Sequence, residues 1–368
     1  MPYRFGLDVR LPYYTGGGIA RYIRRLAVGL PELDPGDAHT HFYRRGHRDT
    51  FSTRAKRVDC WTPAHHRLER LALSAEVGPH RLDLLHSPDF IPPLAGFGRS
   101  VITVHDLTFL LYPDFLTPES RRYYNDQIAW AVRRADAISA DSHATKADLV
   151  ERLAVPPEKV TVIHLGLDPG FQANGPASQP VLAELGLAPG YVLFVGTFEP
   201  RKNVAGLLAA YARLRALLPD APPLVLAGRR GWLFDQVQAR LRELRLEPHV
   251  RFLEEVSEPQ LRALYHGAGV FVLPSHYEGF GFTVLEAMAS GVPAVVANRA
   301  SLPEIAGEAA LQTDPDDPEA IADSLRRALT DTALRARMID LGLAQARRFT
   351  WDKTVLATLD LYRQVLAH

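Results

Sequence analysis

Four short stretches of this chain combine residue types that can do chemistry. In Ser275-His276-Tyr277-Glu278-Gly279-Phe280-Gly281-Phe282-Thr283-Val284-Leu285-Glu286 the carboxylates Glu278 and Glu286 bracket a glycine turn that leads into a run of helix formers. Gly279 and Gly281 let the backbone turn tightly, and the unpaired amides at the helix start, aided by the macrodipole, offer an anion several donors. A second stretch, Gly196-Thr197-Phe198-Glu199-Pro200-Arg201-Lys202-Asn203, sets two cations at a helix start. They conflict with the partly positive helix end unless an anion such as a diphosphate lies between them. A third, Tyr14-Thr15-Gly16-Gly17-Gly18-Ile19, is a glycine loop opening a helix, again suited to an anion or a closely approaching ligand. The fourth, Thr103-Val104-His105-Asp106-Leu107, puts His105 at a strand end, where it could act as a base or serve as a hydrogen-bonded structural residue, with Asp106 available to orient its ring. Each stretch also has a plainer reading: surface glutamates, solvated cations, a flexible turn.

The elements that must hold these residues alternate. Short apolar runs at residues 4–9, 82–86, 101–104, 137–140 and 160–163 read as strands, with helices at 19–30, 118–134 and 142–153, the last capped by Ser142. Strands separated by helices imply a parallel sheet covered on both faces. Breakers follow at 168–178, and the alternation restarts with strands at 191–195, 224–227, 250–253, 270–273 and 294–296. The expected plan is an α/β chain of two doubly wound domains, 1–170 and 190–350, joined by a linker at 171–189 and closed by a terminal helix at about 351–368. In such sheets ligands collect at the carboxyl ends of strands, and each of the four stretches follows a strand.

Composition narrows the function. A chain of 368 residues suits two domains, and 47% hydrophobic with 23% charged residues is the balance of a globular protein. Lys and Arg (42) equal Asp and Glu (42), so no global field favours nucleic acid. The single Cys60 forms no internal disulfide, no Cys/His group has zinc spacing, and the N-terminus reads as a first strand rather than a leader. A cytoplasmic location is expected. No uncharged run is long enough for a membrane span, so membrane contact would be peripheral.

The two glutamates, with seven residues between them, together with the Arg-Lys-Asn segment, the Gly-Gly loop and the strand-end His-Asp, resemble family 4 of the retaining nucleotide-sugar glycosyltransferases. The motifs fall in that family's order along nearly the whole chain. The resemblance implies the GT-B fold: two Rossmann-like doubly wound parallel-sheet domains facing across a cleft, the first for the acceptor and the second for the donor. A terminal helix opening at Trp351 would pack back on the first domain. It assigns Glu278 to the donor sugar, Glu286 to the ribose hydroxyls, Arg201 and Lys202 to the leaving diphosphate, and His105 to the sugar pocket as a positioning residue. Gly17, Gly18, Gly196, Gly279, Phe280 and Gly281 join the donor-binding set.

The implied reaction moves a sugar from a nucleoside-diphosphate donor to an acceptor hydroxyl with retention. It needs no cofactor, and since none of the strands read above is followed by Asp-x-Asp, no metal is called for. The closest likeness is to bacterial mannosyltransferase-type members, which favours GDP-mannose over a UDP-sugar and a role in polysaccharide or glycoconjugate synthesis. The acceptor would be a carbohydrate or a lipid-linked one. A basic excess between Arg44 and Arg70 would then give the first domain a peripheral contact with the inner face of the plasma membrane, or a solvated face. A sugar-nucleotide epimerase of the same fold and a non-catalytic nucleotide-sugar-binding subunit remain as alternatives.

Overall fold

The computed structural model describes residues 2–14, 16–66, 68–113, 118–171 and 179–367. It divides into two units, one formed by Met1–Gly166 with Thr350–His368 and the other by Leu167–Phe349.

In the first unit seven strands make one sheet: β1 (Arg4–Asp8), β2 (Ala38–Arg44), β3 (Lys56–Cys60), β4 (Leu82–Ser87), β5 (Phe97–Val104), β6 (Ala137–Ala140) and β7 (Val160–Val162). Their spatial order is β3-β2-β1-β4-β5-β6-β7 and every pair is parallel. Sequence order therefore reverses between β1 and β4. The second sheet has six parallel strands: β8 (Tyr191–Val195), β9 (Leu224–Ala227), β10 (Val250–Leu253), β11 (Ala268–Leu273), β12 (Ala294–Ala297) and β13 (Ala310–Thr313). Its order, β10-β9-β8-β11-β12-β13, reverses between β8 and β11.

The central strands are buried along their whole length, which is why Tyr191–Val195 and Ala268–Leu273 are unbroken apolar runs. Three strands, β2, β3 and β13, were not expected. β2 reads AHTHFYR and hides His39, Thr40 and His41, so it lacks the apolar signature, while β3 and β13 are half-exposed edge strands. Asp314-Pro315-Asp316 follows β13, so contrary to the sequence reading an Asp-x-Asp does leave a strand, and Arg299 pairs with both of its aspartates.

Of the expected linker, 172–178 lie outside the described residues, as do Thr15 of the glycine loop and Arg67 of the basic stretch. Residues Gln179–Glu184 form a helix that buries Leu182 in the second core. The terminal helix Trp351–Ala367 belongs to the first unit. There Tyr362 Oη lies 2.7 Å from His86 Nδ1, Arg363 pairs with Asp34 at 2.9 Å, and Val355 fills the space that a Cβ on Gly29 would need. Ser142 caps its helix by accepting from Thr145 N at 3.1 Å. Among the described residues no helix is long and apolar enough to cross a membrane.

Candidate active site

At the reversal of the second sheet, the loops leaving β8 and β11 meet. His276 N donates to Arg201 O at 2.8 Å, tying one loop to the other. Ser301 Oγ lies 2.8 Å from Glu278 O and 2.7 Å from Phe280 O, holding the glycine turn from a third element. Gly281 caps the helix Phe282–Ala289 with φ +118, a conformation that side chains rarely tolerate. Asn203, also left-handed, caps the helix Val204–Leu217 by accepting from Gly206 N. Gly196 ends its strand by donating to Ala227 O.

This framework brings Glu278, Arg201 and Lys202 together. Arg201 Nη1 lies 2.8 Å from Glu278 Oε2, and Lys202 Nζ 2.5 Å from Oε1, which also accepts from Ser275 Oγ at 2.7 Å. Arg201 reaches Glu199 as well, Nε to Oε1 at 2.8 Å. Burial alone would push the Glu278 carboxyl up, but Lys202 and Arg201 outweigh it and bring its pKa down to about 2. Lys202 is moved down by its own burial, against the pull of Glu278. Glu278 is therefore ionised at neutral pH, and it supplies the anion that the adjacent cations require.

Neither glutamate is on the surface. Glu278 is 6% exposed and Glu286 2%, and Glu286 Oε2 accepts from Tyr265 Oη at 2.8 Å. The plain reading of two solvated glutamates fails, because an apolar helix face would not bury a carboxylate without a partner. Phe280 packs edge-on to Phe282 and Phe349, so its ring belongs to the core and Gly279-Phe280 can present main-chain groups only.

In the first unit, His105 lies at the end of β5 with Nδ1 2.7 Å from Asp141 Oδ2 and Nε2 2.9 Å from Pro88 O. Both nitrogens face acceptors, so both carry hydrogen and the ring is an imidazolium. Burial opposes that charge, yet Asp141 overcomes it and raises the pKa to about 9. A ring held in this form is not a base at neutral pH. Asp141, 36 residues away, orients it. Asp106 does not, since its Oδ1 accepts from Thr108 N at 2.9 Å instead. Tyr22, on the helix Gly18–Leu33 that Gly17 and Gly18 open, meets the His105 ring edge-on at 5.2 Å. Gly17 is exposed with φ +90 and open space where a Cβ would stand. Sequence reading missed Tyr265 and Asp141, which come from other elements and leave no local spacing to read.

Two family models match the chain, "Glycosyl transferases group 1" over residues 184–343 and "Glycosyltransferase Family 4" over residues 16–171. The O-antigen chain mannosyltransferase B of Escherichia coli is 35% identical over 282 residues, 76% of this chain and 74% of that protein. The chain belongs to glycosyltransferase family 4. It is an enzyme of that class, a glycosyltransferase with two Rossmann-like domains. Its fold is similar to that of a sucrose-phosphate synthase from Thermosynechococcus elongatus, with TM-score 0.79, 23% identity and 99% of each chain covered. It is likewise similar to HepE from Anabaena, whose structure is a complex with UDP-glucose, with TM-score 0.74, 19% identity, and 97% of this chain and 99% of that chain covered.

Proposed function

We propose that this glycosyltransferase moves mannose from GDP-mannose to a hydroxyl of a carbohydrate or lipid-linked acceptor, with retention, in bacterial polysaccharide or glycoconjugate synthesis. The observation that carries the reading is the buried Arg201–Lys202–Glu278 cluster at the reversal of the second sheet. In the proposed reaction the bond between the anomeric carbon and the diphosphate oxygen breaks, the acceptor oxygen bonds to that carbon and gives its proton to the leaving diphosphate, and negative charge grows on that diphosphate as the bond breaks. Arg201 and Lys202, together with amides near Gly279 and Gly281, would neutralise it. Glu278 has acceptor capacity for sugar hydroxyls, and Glu286, steadied by Tyr265, would take those of the ribose. His105, a fixed cation with no basic nitrogen, would position the sugar. With the leaving group compensated by side chains, no metal or other cofactor is needed. The likeness to a mannosyltransferase supports mannose as the transferred sugar.

A UDP-sugar donor is the second reading, favoured by the UDP-glucose complex of the Anabaena neighbour. A melting screen with GDP, UDP and ADP decides between them, since a ligand at about 100 times its dissociation constant stabilises by about 2.7 kcal/mol. A shift with UDP and none with GDP overturns the donor; no shift with any of the three overturns the nucleotide site. Product analysis with GDP-mannose and an acceptor then separates transfer from epimerisation, and the anomeric configuration tests retention.

A further inference from the structure

The run of breakers at 168–178 contains one aromatic residue, Phe171. A large apolar ring gains stability in such a stretch only by burial, and this one is 1% exposed and belongs to the core of the second unit. It stands close behind Leu167, where the chain enters that unit. Leu167 N donates to Phe349 O at 3.1 Å, joining the first residue of the unit to its last. Pro169–Phe171 form a single helical turn in which Gly170 leaves room for the Arg262 guanidinium, and that group lies 5.8 Å from the centre of the Phe171 ring.

The Phe171 ring reaches the donor site through one intermediary. It meets the Tyr265 ring edge-on, with centres 5.7 Å apart and planes at 84°, an arrangement that aromatic pairs prefer. Tyr265, wholly buried on the helix Glu258–Gly267, has Phe271 of β11 as a second ring neighbour at 5.9 Å. Its hydroxyl donates to Glu286 Oε2 at 2.8 Å. A phenol tied at its oxygen can still tilt about the bonds that join it to the backbone, and rings packed against it limit that tilt. A working side chain must be held within about 0.5 Å of its place by neighbours that are locked themselves. Glu286, Tyr265 and Phe171 come from three separate elements, so the seating of the entering segment helps to set where the carboxylate stands.

We propose that Phe171 is a positioning residue for the donor: by fixing Tyr265 it holds Glu286 where the carboxylate accepts hydrogen bonds from the ribose hydroxyls. The inference rests on the proposed ribose contact of Glu286 and extends it to a buried residue of the entering segment.

The test is calorimetry with GDP and with UDP, well below the melting temperature, on full-length wild type, Phe171→Leu, Tyr265→Phe, the double variant and Glu286→Ala. The nucleotide that wild type binds should bind Phe171→Leu about three- to tenfold more weakly, the range a ring pair of this geometry can supply, and Tyr265→Phe about five- to tenfold more weakly. In the Tyr265→Phe background the Phe171→Leu change should cost less than about twofold more, because no hydroxyl remains to be misplaced. A residue that serves packing alone would lower the melting temperature and leave the affinity of the folded protein unchanged. That result overturns the proposal, as does a full additional loss in the double variant. Phe171→Met, whose longer side chain fills more of the space, takes the place of Phe171→Leu if the latter does not fold. Tyr265→Phe removes one oxygen and overturns the proposal by itself if it binds nucleotide as wild type does. If wild type binds neither nucleotide, or Glu286→Ala binds as tightly as wild type, the donor reading fails and this inference with it. A loss in Glu286→Ala with none in Phe171→Leu overturns this inference alone.

Discussion

Glu278→Gln removes the charge of one buried carboxylate and keeps its shape. In the folded protein the carboxyl titrates at about 2 rather than its ordinary 4.5. At about 1.4 kcal/mol per pH unit, that difference is a contribution of about 3 kcal/mol at neutral pH. The sign follows from the depressed value: the contribution is complete above about pH 4.5 and is lost as pH falls through about 2. The substitution also takes from Lys202 its paired carboxylate and leaves Arg201 paired with Glu199 but not with Glu278, and breaking a buried pair from one side costs about 3–5 kcal/mol. At about 2–4 °C per kcal/mol, a loss of about 3–5 kcal/mol should melt the variant about 6–20 °C below wild type at pH 7. A nucleoside diphosphate that binds these cations replaces the missing anion, so saturating GDP should raise the melting temperature of the variant by more than that of wild type. Differential scanning fluorimetry with and without GDP reads both effects. Lys202→Met combined with Glu278→Gln should recover part of the loss, as coupled neighbours do. A variant that melts within about 2 °C of wild type would refute the argument, because it would mean that the two cations do not depend on Glu278.

Three further outcomes are expected. Glu286→Ala should weaken nucleotide binding by about 1.5–3 kcal/mol, the range for hydrogen bonds to a charged group, and unchanged affinity by calorimetry would count against a ribose contact. For His105, whose folded pKa is raised to about 9, stabilisation is full below about pH 6.5 and lost as pH rises through about 9. His105→Asn should therefore cost about 3 kcal/mol at pH 6 and much less at pH 10, and a cost that is the same at both would show that the ring is not held as a cation. The basic stretch carries an exposed Trp61 with the Arg45 guanidinium 3.2 Å from its ring centre, and exposed Leu68 and Leu71. It should sediment with anionic vesicles at low salt and release at high salt, and no sedimentation at low salt would leave a solvated face.

The legible parts of the fold were those where one signal suffices. Strands buried on both faces, such as Tyr191–Val195, are continuous apolar runs, and Ser142 stands as a side-chain cap at a helix start. β2 escaped because its interior positions include His39 and His41, whose burial depends on the rest of the unit and not on their own polarity. The same limit applies to the site. Glu278, Arg201 and Lys202 were visible as charged residues after strands, but the sequence does not say that the cations already hold the carboxylate. Asp106 looked like the partner of His105 because it is adjacent. A strand-end side chain meets the loop of the neighbouring strand, and β6 lies beside β5, so Asp141 has that place. Tyr265 could not be paired with Glu286 before the helix Glu258–Gly267 was in place.

A buried ion cluster is a poor way to stabilise a protein, since apolar residues of the same volume often do as well or better. The Arg201–Lys202–Glu278 cluster is therefore better understood through what it would do to an incoming anion. Binding a diphosphate to two solvated, mobile cations requires that they be dehydrated and fixed at that moment. Here folding has already withdrawn Lys202 from water and fixed Arg201 through Glu199, Tyr277 O and Glu278. An arriving diphosphate would exchange one anionic partner for another at lower reorganisation cost, which is the condition under which electrostatic stabilisation is strongest. As the phosphate draws the cations, the Glu278 oxygens gain capacity for the hydroxyls of the sugar. Phosphate and sugar would then be recognised by the same exchange, so a nucleoside diphosphate and a free sugar should bind this site cooperatively, whereas in Glu278→Gln that cooperativity should vanish.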